Sequence, residues 1–133
     1  MIQFRDYISE LGQTFFKKIG YKMNRPNFYV SLFAIEMLEN EGHDTHTHPN
    51  SILSGVMYLQ VPDNSSPIIF HDPKPKSKFI EHKKDHITDA NMSELKINPK
   101  QGLILIWESW LDHRIPRNRN INDGRISLVF NMW

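Results

Sequence analysis

The spacing of hydrophobic positions along the chain changes near residue 24. Over residues 4–19 apolar side chains recur three or four positions apart, which is the spacing of an amphipathic helix. From residue 28 onward the apolar residues form short runs, separated by turns rich in Gly, Pro, Asn and Asp. The pattern therefore predicts one N-terminal helix followed by about eight short β-strands.

Two of the apolar runs are nearly continuous. Residues 28–38 are rich in β-branched and aromatic side chains and predict a long central strand, and residues 103–107 predict a strand buried on both faces. A helix followed by short strands is typical of an all-β barrel or sandwich with a helix packed on it. We predict a single domain over residues 1–133, mainly β, with a helical region at 1–24 and the β core at 28–133.

Composition excludes several classes of protein. Sixteen basic and fifteen acidic residues leave a formal charge of +1, which does not indicate a nucleic-acid partner. The chain has no cysteine, which excludes disulfides, zinc–thiolate sites and thiol nucleophiles and favours a reducing compartment. The first residues are too polar for a signal peptide, and no apolar run approaches the length of a membrane span. We therefore expect a cytoplasmic domain without a membrane partner.

Three of the seven histidines, His43, His46 and His48, fall within six residues. In an extended segment successive side chains point to opposite faces, so Asp44, His46 and His48 are predicted to share one face. Imidazoles that converge on one point favour a first-row transition metal, and a carboxylate beside them suits iron or manganese. The alternative is a polar loop with solvated histidines, and the run by itself does not decide between the two.

The last apolar run carries a charge. Alternation along residues 125–133 places Arg125, Ser127, Val129 and Asn131 on one face. If that face turns inward, Arg125 needs an anionic partner, because an unpaired buried charge costs several kcal/mol. No neighbouring residue supplies an obvious carboxylate. An exogenous carboxylate held bidentately by the guanidinium, with help from the Ser127 hydroxyl, would satisfy it.

Four segments in a fixed order connect these features. They are His46-Thr47-His48-Pro49-Asn50, Ser54-Gly55-Val56-Met57-Tyr58-Leu59, Ser109-Trp110-Leu111-Asp112-His113 and Arg125-Ile126-Ser127-Leu128-Val129-Phe130-Asn131. The order resembles the iron(II)- and 2-oxoglutarate-dependent oxygenases. It is most similar to short members whose signature reads His-x-His-Pro-Asn, Ser-Gly-Val-x-Tyr-Leu, Ser-Trp-Leu-x-His and Arg-Ile-Ser-x-x-Phe-Asn. The resemblance covers most of the chain, from about residue 28 to the end.

The resemblance implies a double-stranded β-helix, also called a jelly-roll or cupin-like barrel, with the N-terminal helix packed on it. It also implies a metal site formed by His46, His48 and His113. Most of the superfamily has Asp or Glu in place of His48, so a carboxylate remains an alternative ligand. Asp112 would point away from the face of His113 in a regular strand, which leaves Asp44 as the better candidate.

For 2-oxoglutarate, the resemblance implies that Arg125 and Ser127 bind the C5 carboxylate. The Tyr58 hydroxyl is a further candidate contact. The alternative interpretation, that Tyr58 is an aromatic side chain of the core, fits the sequence equally well. Asn50 and Asn131 are weaker candidates for the pocket wall. The remaining histidines are expected at the surface; they are His43, His71, His82 and His86.

The implied activity uses Fe(II), 2-oxoglutarate and O2 to form succinate, CO2 and a ferryl species that abstracts hydrogen from a C–H bond. Hydroxylation is the default outcome. The sequence does not identify the substrate. The long basic segment 71–92 and the arginines Arg114, Arg117 and Arg119 favour an acidic small molecule or a peptide.

Two other functions fit part of the pattern. A cupin-type metal protein would share the barrel and the His-x-His pair without using 2-oxoglutarate, but cupins usually carry a glutamate a few residues after that pair. Residues 50–53 contain none. A non-catalytic jelly-roll module that mediates an interaction would bind neither metal nor 2-oxoglutarate.

Overall fold

One helix precedes eight strands in the part of the chain that the structure describes. The structure is a computed structural model that describes residues 2–74, 82–120 and 123–133. The elements in chain order are α1 (Ile2–Lys18), β1 (Val30–Met37), β2 (His43–His46), β3 (Leu53–Gln60), β4 (Ile68–His71), β5 (Glu94–Ile97), β6 (Ile104–Glu108), β7 (His113–Ile115) and β8 (Arg125–Met132).

The strands form two four-stranded antiparallel sheets. One sheet has the order β1-β8-β3-β6 and the other β2-β7-β4-β5. Along the chain β1 to β4 alternate between the sheets, and β5 to β8 alternate as well, so each sheet interleaves strands from distant parts of the sequence. This is the arrangement of a double-stranded β-helix. The predicted mainly β jelly-roll with an N-terminal helix is therefore confirmed.

Helix α1 packs its apolar face on the outer face of the β1-β8-β3-β6 sheet. Ile8 is fully buried there, and the Ser9 hydroxyl hydrogen-bonds both the backbone nitrogen (3.1 Å) and the backbone oxygen (3.3 Å) of Phe28. The helix ends at Lys18, and the turn after it passes through Gly20, whose φ of 95° is readily adopted only by glycine. In the described residues, no helix is both long and apolar enough to cross a membrane.

Two strands that the pattern predicts as interior are edge strands. In the described residues β1 pairs only with β8, and β6 pairs only with β3. Phe33 of β1 is 44% exposed, and Trp107 alone is buried in β6. Both strands carry apolar side chains on two faces: Leu32 and Ile104 pack towards α1, and Ile35 and Leu105 on the opposite faces look into the sandwich. A continuous apolar run thus indicates that both faces of a strand carry packed side chains. It does not indicate that both edges of the strand are hydrogen-bonded to neighbouring strands.

The interior of the sandwich is apolar where the sheets approach each other. Five buried side chains form this cluster, and they come from both sheets: Val56, Tyr58, Ile68, Phe70 and Trp107. Strand β3 crosses the middle of its sheet, and Gly55 makes this possible because a Cβ there would overlap the ring of Phe130. The buried cluster forms one wall of a cavity between the sheets.

Candidate metal centre

Three histidines from distant parts of the chain meet at one end of this cavity. One ring nitrogen each of His46, His48 and His113 lies within 4.8 Å of the other two. Strand pairing produces the meeting, because β2 and β7 are neighbours and His46 is paired directly with His113. His48 follows the end of β2, and its backbone nitrogen donates a hydrogen bond to the Ser109 carbonyl at 2.9 Å.

Hydrogen bonds orient two of the rings. Nδ1 of His46 donates to the Asp44 carbonyl at 2.7 Å, and Nδ1 of His113 donates to the Leu111 carbonyl at 2.9 Å. A carbonyl only accepts, so each Nδ1 carries the proton and each Nε2 has a free lone pair. Nε2 of His48 lies 3.2 Å from Nε2 of His113. Two imidazole nitrogens bound at about 2.1 Å to one metal, at right angles, would be about 3 Å apart. The donor set therefore fits a divalent metal ion.

The protonation of these rings also suits a metal. Burial lowers the pKa of His113 to about 4 and also lowers the pKa of His48, to which the neighbouring His46 contributes. A hydrogen bond from His48 to the Asn131 side chain opposes this shift. Neutral imidazole is the form that coordinates a metal.

Asp44 does not lie with the histidines. The side chain is exposed, and in the described residues the metal-binding group contains no carboxylate. The register of β2 shifts between His43 and His46, as at a β-bulge, so His43 and His46 both face the cavity although they are three residues apart. The expectation that Asp44 shares a face with His46 is therefore wrong. His43, which is expected at the surface, is half-buried and lines the cavity.

The cavity has a volume of about 250 Å³ and extends from the histidines to Arg125, Ser127 and Tyr58. Arg125, Ser127 and Val129 all line it, as the alternation along β8 predicts. The Arg125 guanidinium lies 5.7 Å from the centre of the Tyr58 ring. Burial raises the pKa of Tyr58, whose hydroxyl is therefore protonated at neutral pH.

Arg125 is buried without a carboxylate partner in the described residues. It is 2% exposed, Nη1 donates to the Ser66 carbonyl at 2.8 Å, and Nη2 contacts Sδ of Met37 at 3.0 Å. Nε has no hydrogen-bond partner among the described residues. Burial lowers the pKa of Arg125, because a charge is poorly solvated there. A guanidinium with unused donors that lines a cavity fits an exogenous carboxylate.

The two weaker candidates lie elsewhere. Asn50 is exposed in a turn with φ of 66°, and it is not among the residues that line the cavity. Asn131 does not line the cavity either. Its Oδ1 accepts a hydrogen bond from the Ser54 hydroxyl at 2.8 Å, and the side chain contacts His48.

Several residues of the site carry no recognisable signal in the sequence. Trp107 packs its ring edge-on against His113, with 4.9 Å between ring centres, and its buried Nε1 has no partner in the described part of the chain. Asn118 is fully buried and hydrogen-bonds the Met37 carbonyl and the Ser66 backbone nitrogen, the two residues that contact Arg125. Asn118 lies in a stretch that reads as a solvated polar turn, so only the structure reveals its role.

The arginines that suggested an acidic partner differ in exposure and in pairing. Arg114 forms an ion pair with Glu94 at 3.4 Å, whereas Arg117 and Arg119 are exposed. Within the basic segment, residues 75–81 lie outside the described residues. Contact of this segment with substrate stays a prediction.

A family described as "Putative 2OG-Fe(II) oxygenase" matches residues 31–131. The match covers most of the chain, which therefore belongs to this family of 2-oxoglutarate- and iron(II)-dependent oxygenases. The resemblance carried by the four segments is confirmed at the level of the family. Membership implies Fe(II) as the metal, with 2-oxoglutarate and O2 as co-substrates. A comparison with curated proteins gives no match.

Solved structures agree in fold. A 2OG-Fe(II) oxygenase family oxidoreductase from Burkholderia pseudomallei is 14% identical, with a TM-score of 0.64 over 90% of this chain and 50% of that one. A prolyl-4-hydroxylase from Pseudomonas putida is 13% identical, with a TM-score of 0.60 over 92% of this chain and 59% of that one. The chain thus spans only half to three-fifths of the length of these structures.

Proposed function

We propose that the protein is an Fe(II)- and 2-oxoglutarate-dependent oxygenase that hydroxylates a substrate still to be identified. The observation that carries the proposal is a single cavity with two chemically distinct ends. One end presents the three imidazoles of His46, His48 and His113, and the other presents Arg125, a buried cation with an unused donor. The helix and the jelly-roll would act together as one domain.

The three histidines would hold Fe(II) through the lone pairs of the ring nitrogens that converge at the end of the cavity. When bound, Fe(II) with 2-oxoglutarate and O2 supplies the oxidising chemistry that converts a substrate C–H bond to an alcohol while 2-oxoglutarate becomes succinate and CO2. A site of three neutral ligands carries one negative charge less than the usual two-histidine, one-carboxylate set. Iron affinity and redox properties therefore differ from those of a carboxylate-bearing site.

Arg125 would bind the C5 carboxylate of 2-oxoglutarate. A carboxylate accepts two parallel hydrogen bonds from a guanidinium and compensates the charge that burial leaves unsatisfied. Ser127 lines the same end of the cavity, and its hydroxyl would donate to the same carboxylate. The Tyr58 hydroxyl, protonated because burial raises its pKa, is a further donor.

Apolar side chains would exclude water between the two ends. Val56, Trp107 and Val129 line the cavity there, and exclusion of water strengthens each electrostatic contact to the co-substrate. For the substrate we propose an acidic small molecule or a peptide, on the basis of the exposed Arg117 and Arg119. The absence of cysteine supports a cytoplasmic location.

The test is an anaerobic titration of metal-free protein with Fe(II) and 2-oxoglutarate, followed by the visible charge-transfer band of the iron–2-oxoglutarate complex. The titration needs no knowledge of the substrate. We expect the band in the wild-type protein, its loss in His113→Ala, and a much higher 2-oxoglutarate requirement in Arg125→Ala.

Other outcomes would contradict the proposal in different ways. Fe(II) binding without any response to 2-oxoglutarate would favour a cupin-type metal protein. Absence of metal binding would favour a non-catalytic interaction module. Arg114→Ala is the matched control, because Arg114 is paired with Glu94 and does not line the cavity.

A further inference from the structure

One buried asparagine, Asn118, is connected to Arg125 through two intervening residues. Asn118 is 0% exposed and is not among the residues that line the cavity. Its Oδ1 accepts a hydrogen bond from the Ser66 backbone nitrogen at 2.9 Å, and its Nδ2 donates to the Met37 carbonyl at 3.1 Å. The guanidinium of Arg125 donates to the same two residues, to the Ser66 carbonyl at 2.8 Å and to Sδ of Met37 at 3.0 Å. The proposed function assigns no role to Asn118.

The orientation of the Asn118 amide follows from its partners. A backbone nitrogen only donates and a backbone carbonyl only accepts, so Oδ1 must face Ser66 and Nδ2 must face Met37. Leucine has a similar shape and offers neither group, whereas aspartate offers only the acceptor. Both contacts together therefore require the side-chain amide of an asparagine.

The backbone of Asn118 is itself held in place. Its nitrogen donates to the Glu41 carbonyl at 2.7 Å, and its carbonyl accepts from the Asn40 nitrogen at 2.8 Å. Ser66 lies in the loop between β3 and β4, so in the described residues no strand pairing fixes the position of its carbonyl. Met37 is the last residue of β1, a strand that does not pair with β3 or β4. Asn118 thus ties two unpaired parts of the chain together beside Arg125.

The two contacts to Arg125 leave donors for a ligand. A guanidinium carries five N–H donors, of which Ser66 and Met37 use one each, so three remain: Nε–H and one proton each on Nη1 and Nη2. A carboxylate needs two parallel donors. Because the Ser66 and Met37 contacts lie on different Nη atoms, together they fix the plane of the guanidinium. The thioether of Met37 is a weak acceptor, so the Ser66 carbonyl is the stronger of the two supports.

We propose that Asn118 is a positioning residue that orients the Arg125 guanidinium for a carboxylate ligand. It does so by holding the two groups that accept from Arg125, the Ser66 carbonyl and the Met37 side chain. The proposal rests on the proposed function, because the carboxylate in question is C5 of 2-oxoglutarate. It also explains why a fully buried asparagine lies in a stretch of sequence with the character of a solvated turn.

The first measurement reports the orientation of Arg125 in the ligand-free protein. In ¹H–¹⁵N NMR spectra of arginine side chains, Nη1 and Nη2 give separate signals when hydrogen bonds slow rotation about the Nε–Cζ bond. The signals of Arg125 are those that disappear in Arg125→Met. We expect separate signals in the wild-type protein and one averaged signal in Asn118→Leu. An averaged signal in the wild-type protein would overturn the proposal.

The second measurement is an anaerobic titration of the protein with Fe(II) alone and then with 2-oxoglutarate. We expect Asn118→Leu to lose about 10- to 100-fold in 2-oxoglutarate affinity, the loss typical of a displaced hydrogen bond to a charged group. Its Fe(II) affinity should be that of the wild-type protein, because in the described residues Asn118 contacts none of the three histidines. A purely structural role would lower both affinities.

Ser9→Ala is the matched control. Ser9 is also buried and also bridges a backbone nitrogen and a backbone carbonyl, both of Phe28, but it lies under α1 and does not line the cavity. Its loss should destabilise the fold without a change in either affinity. Should Asn118→Leu not fold, Asn118→Ser takes its place, since the shorter side chain cannot bridge both groups.

The two measurements separate the failure of this proposal from the failure of the proposed function. Wild-type 2-oxoglutarate affinity in folded Asn118→Leu, or a parallel loss of Fe(II) affinity, would overturn the positioning role and leave the oxygenase in place. A wild-type protein that does not respond to 2-oxoglutarate, although its Arg125 signals are separate and average in Asn118→Leu, would overturn the oxygenase. Asn118 would then still be the residue that orients Arg125.

Discussion

Replacement of Arg125 by Met should separate folding from co-substrate binding. Arg125 is 2% exposed, has no carboxylate partner in the described residues, and leaves Nε without a hydrogen bond. Removal of the charge relieves its desolvation cost, whereas loss of the hydrogen bond leaves the Ser66 carbonyl unsatisfied. These effects oppose each other. We therefore expect the free energy of unfolding without 2-oxoglutarate to stay within about 2 kcal/mol of the wild-type value.

The effect on binding should be much larger. Loss of one partner of a buried, hydrogen-bonded charge pair costs about 2–5 kcal/mol. Because about 1.4 kcal/mol corresponds to a factor of ten, 2-oxoglutarate affinity should fall by about 30-fold to several thousand-fold. Arg125→Lys keeps the charge but not the planar pair of donors, and should lie between Arg125→Met and the wild-type protein.

Thermal unfolding with Fe(II) under anaerobic conditions measures both quantities. At 2-oxoglutarate equal to 100 times the wild-type Kd, binding stabilises the fold by about 2.7 kcal/mol, or a Tm increase of about 10 °C for a domain of this size. In Arg125→Met the increase should be about 3 °C or less, and in the control Arg114→Met it should be unchanged. An increase of wild-type size in Arg125→Met would refute the assignment of Arg125 to the co-substrate.

Three further predictions concern stability. Asn118→Ala should cost about 1–3 kcal/mol, because it leaves the buried Ser66 backbone nitrogen without a partner and leaves Asn120 as the only side-chain donor to the Met37 carbonyl among the described residues. Chemical denaturation measures this, and wild-type stability would contradict it. Gly55→Ala should cost about 2–3 kcal/mol in the same assay, because the new methyl group overlaps the buried Phe130 ring. Wild-type stability of this variant would contradict the close contact between β3 and Phe130. Metal-free protein should lose stability as the pH falls from about 6.5 to about 4. His113 has its ordinary pKa of 6.5 in the unfolded chain and a pKa of about 4 in the folded chain, so in this range protons bind the unfolded chain preferentially. His113→Gln should flatten this dependence, which urea unfolding at several pH values would reveal.

Local signals in the sequence predicted most of the regular elements. The helix and strands such as β5 (Glu94–Ile97) are strongly periodic or bounded by turn residues, and the structure confirms them. Strands β2 and β7 have four and three residues and little apolar patterning. Their extended conformation comes from pairing within the sheet, of β2 with β7 and of β7 with β4. The bulge in β2 is likewise invisible locally, which is why Asp44 was expected with the histidines and His43 was not.

The sequence by itself determined the chemistry available to the site. It supplies the imidazoles of His46, His48 and His113 and the guanidinium of Arg125, and it contains no thiol. The resemblance carried by these segments also indicated the family, and the match over residues 31–131 confirms that family.

Only the tertiary structure decided how these groups act together. Pairing of β2 with β7 brings His113 to residues 65 or more positions earlier in the chain, and burial keeps its imidazole neutral. The tertiary structure also encloses Arg125 without a carboxylate partner among the described residues, and it places Asn131 beside His48 and not in the cavity wall. The physical reason is that solvation, strand register and hydrogen-bond direction depend on neighbours distant in sequence, which no local pattern of residues specifies.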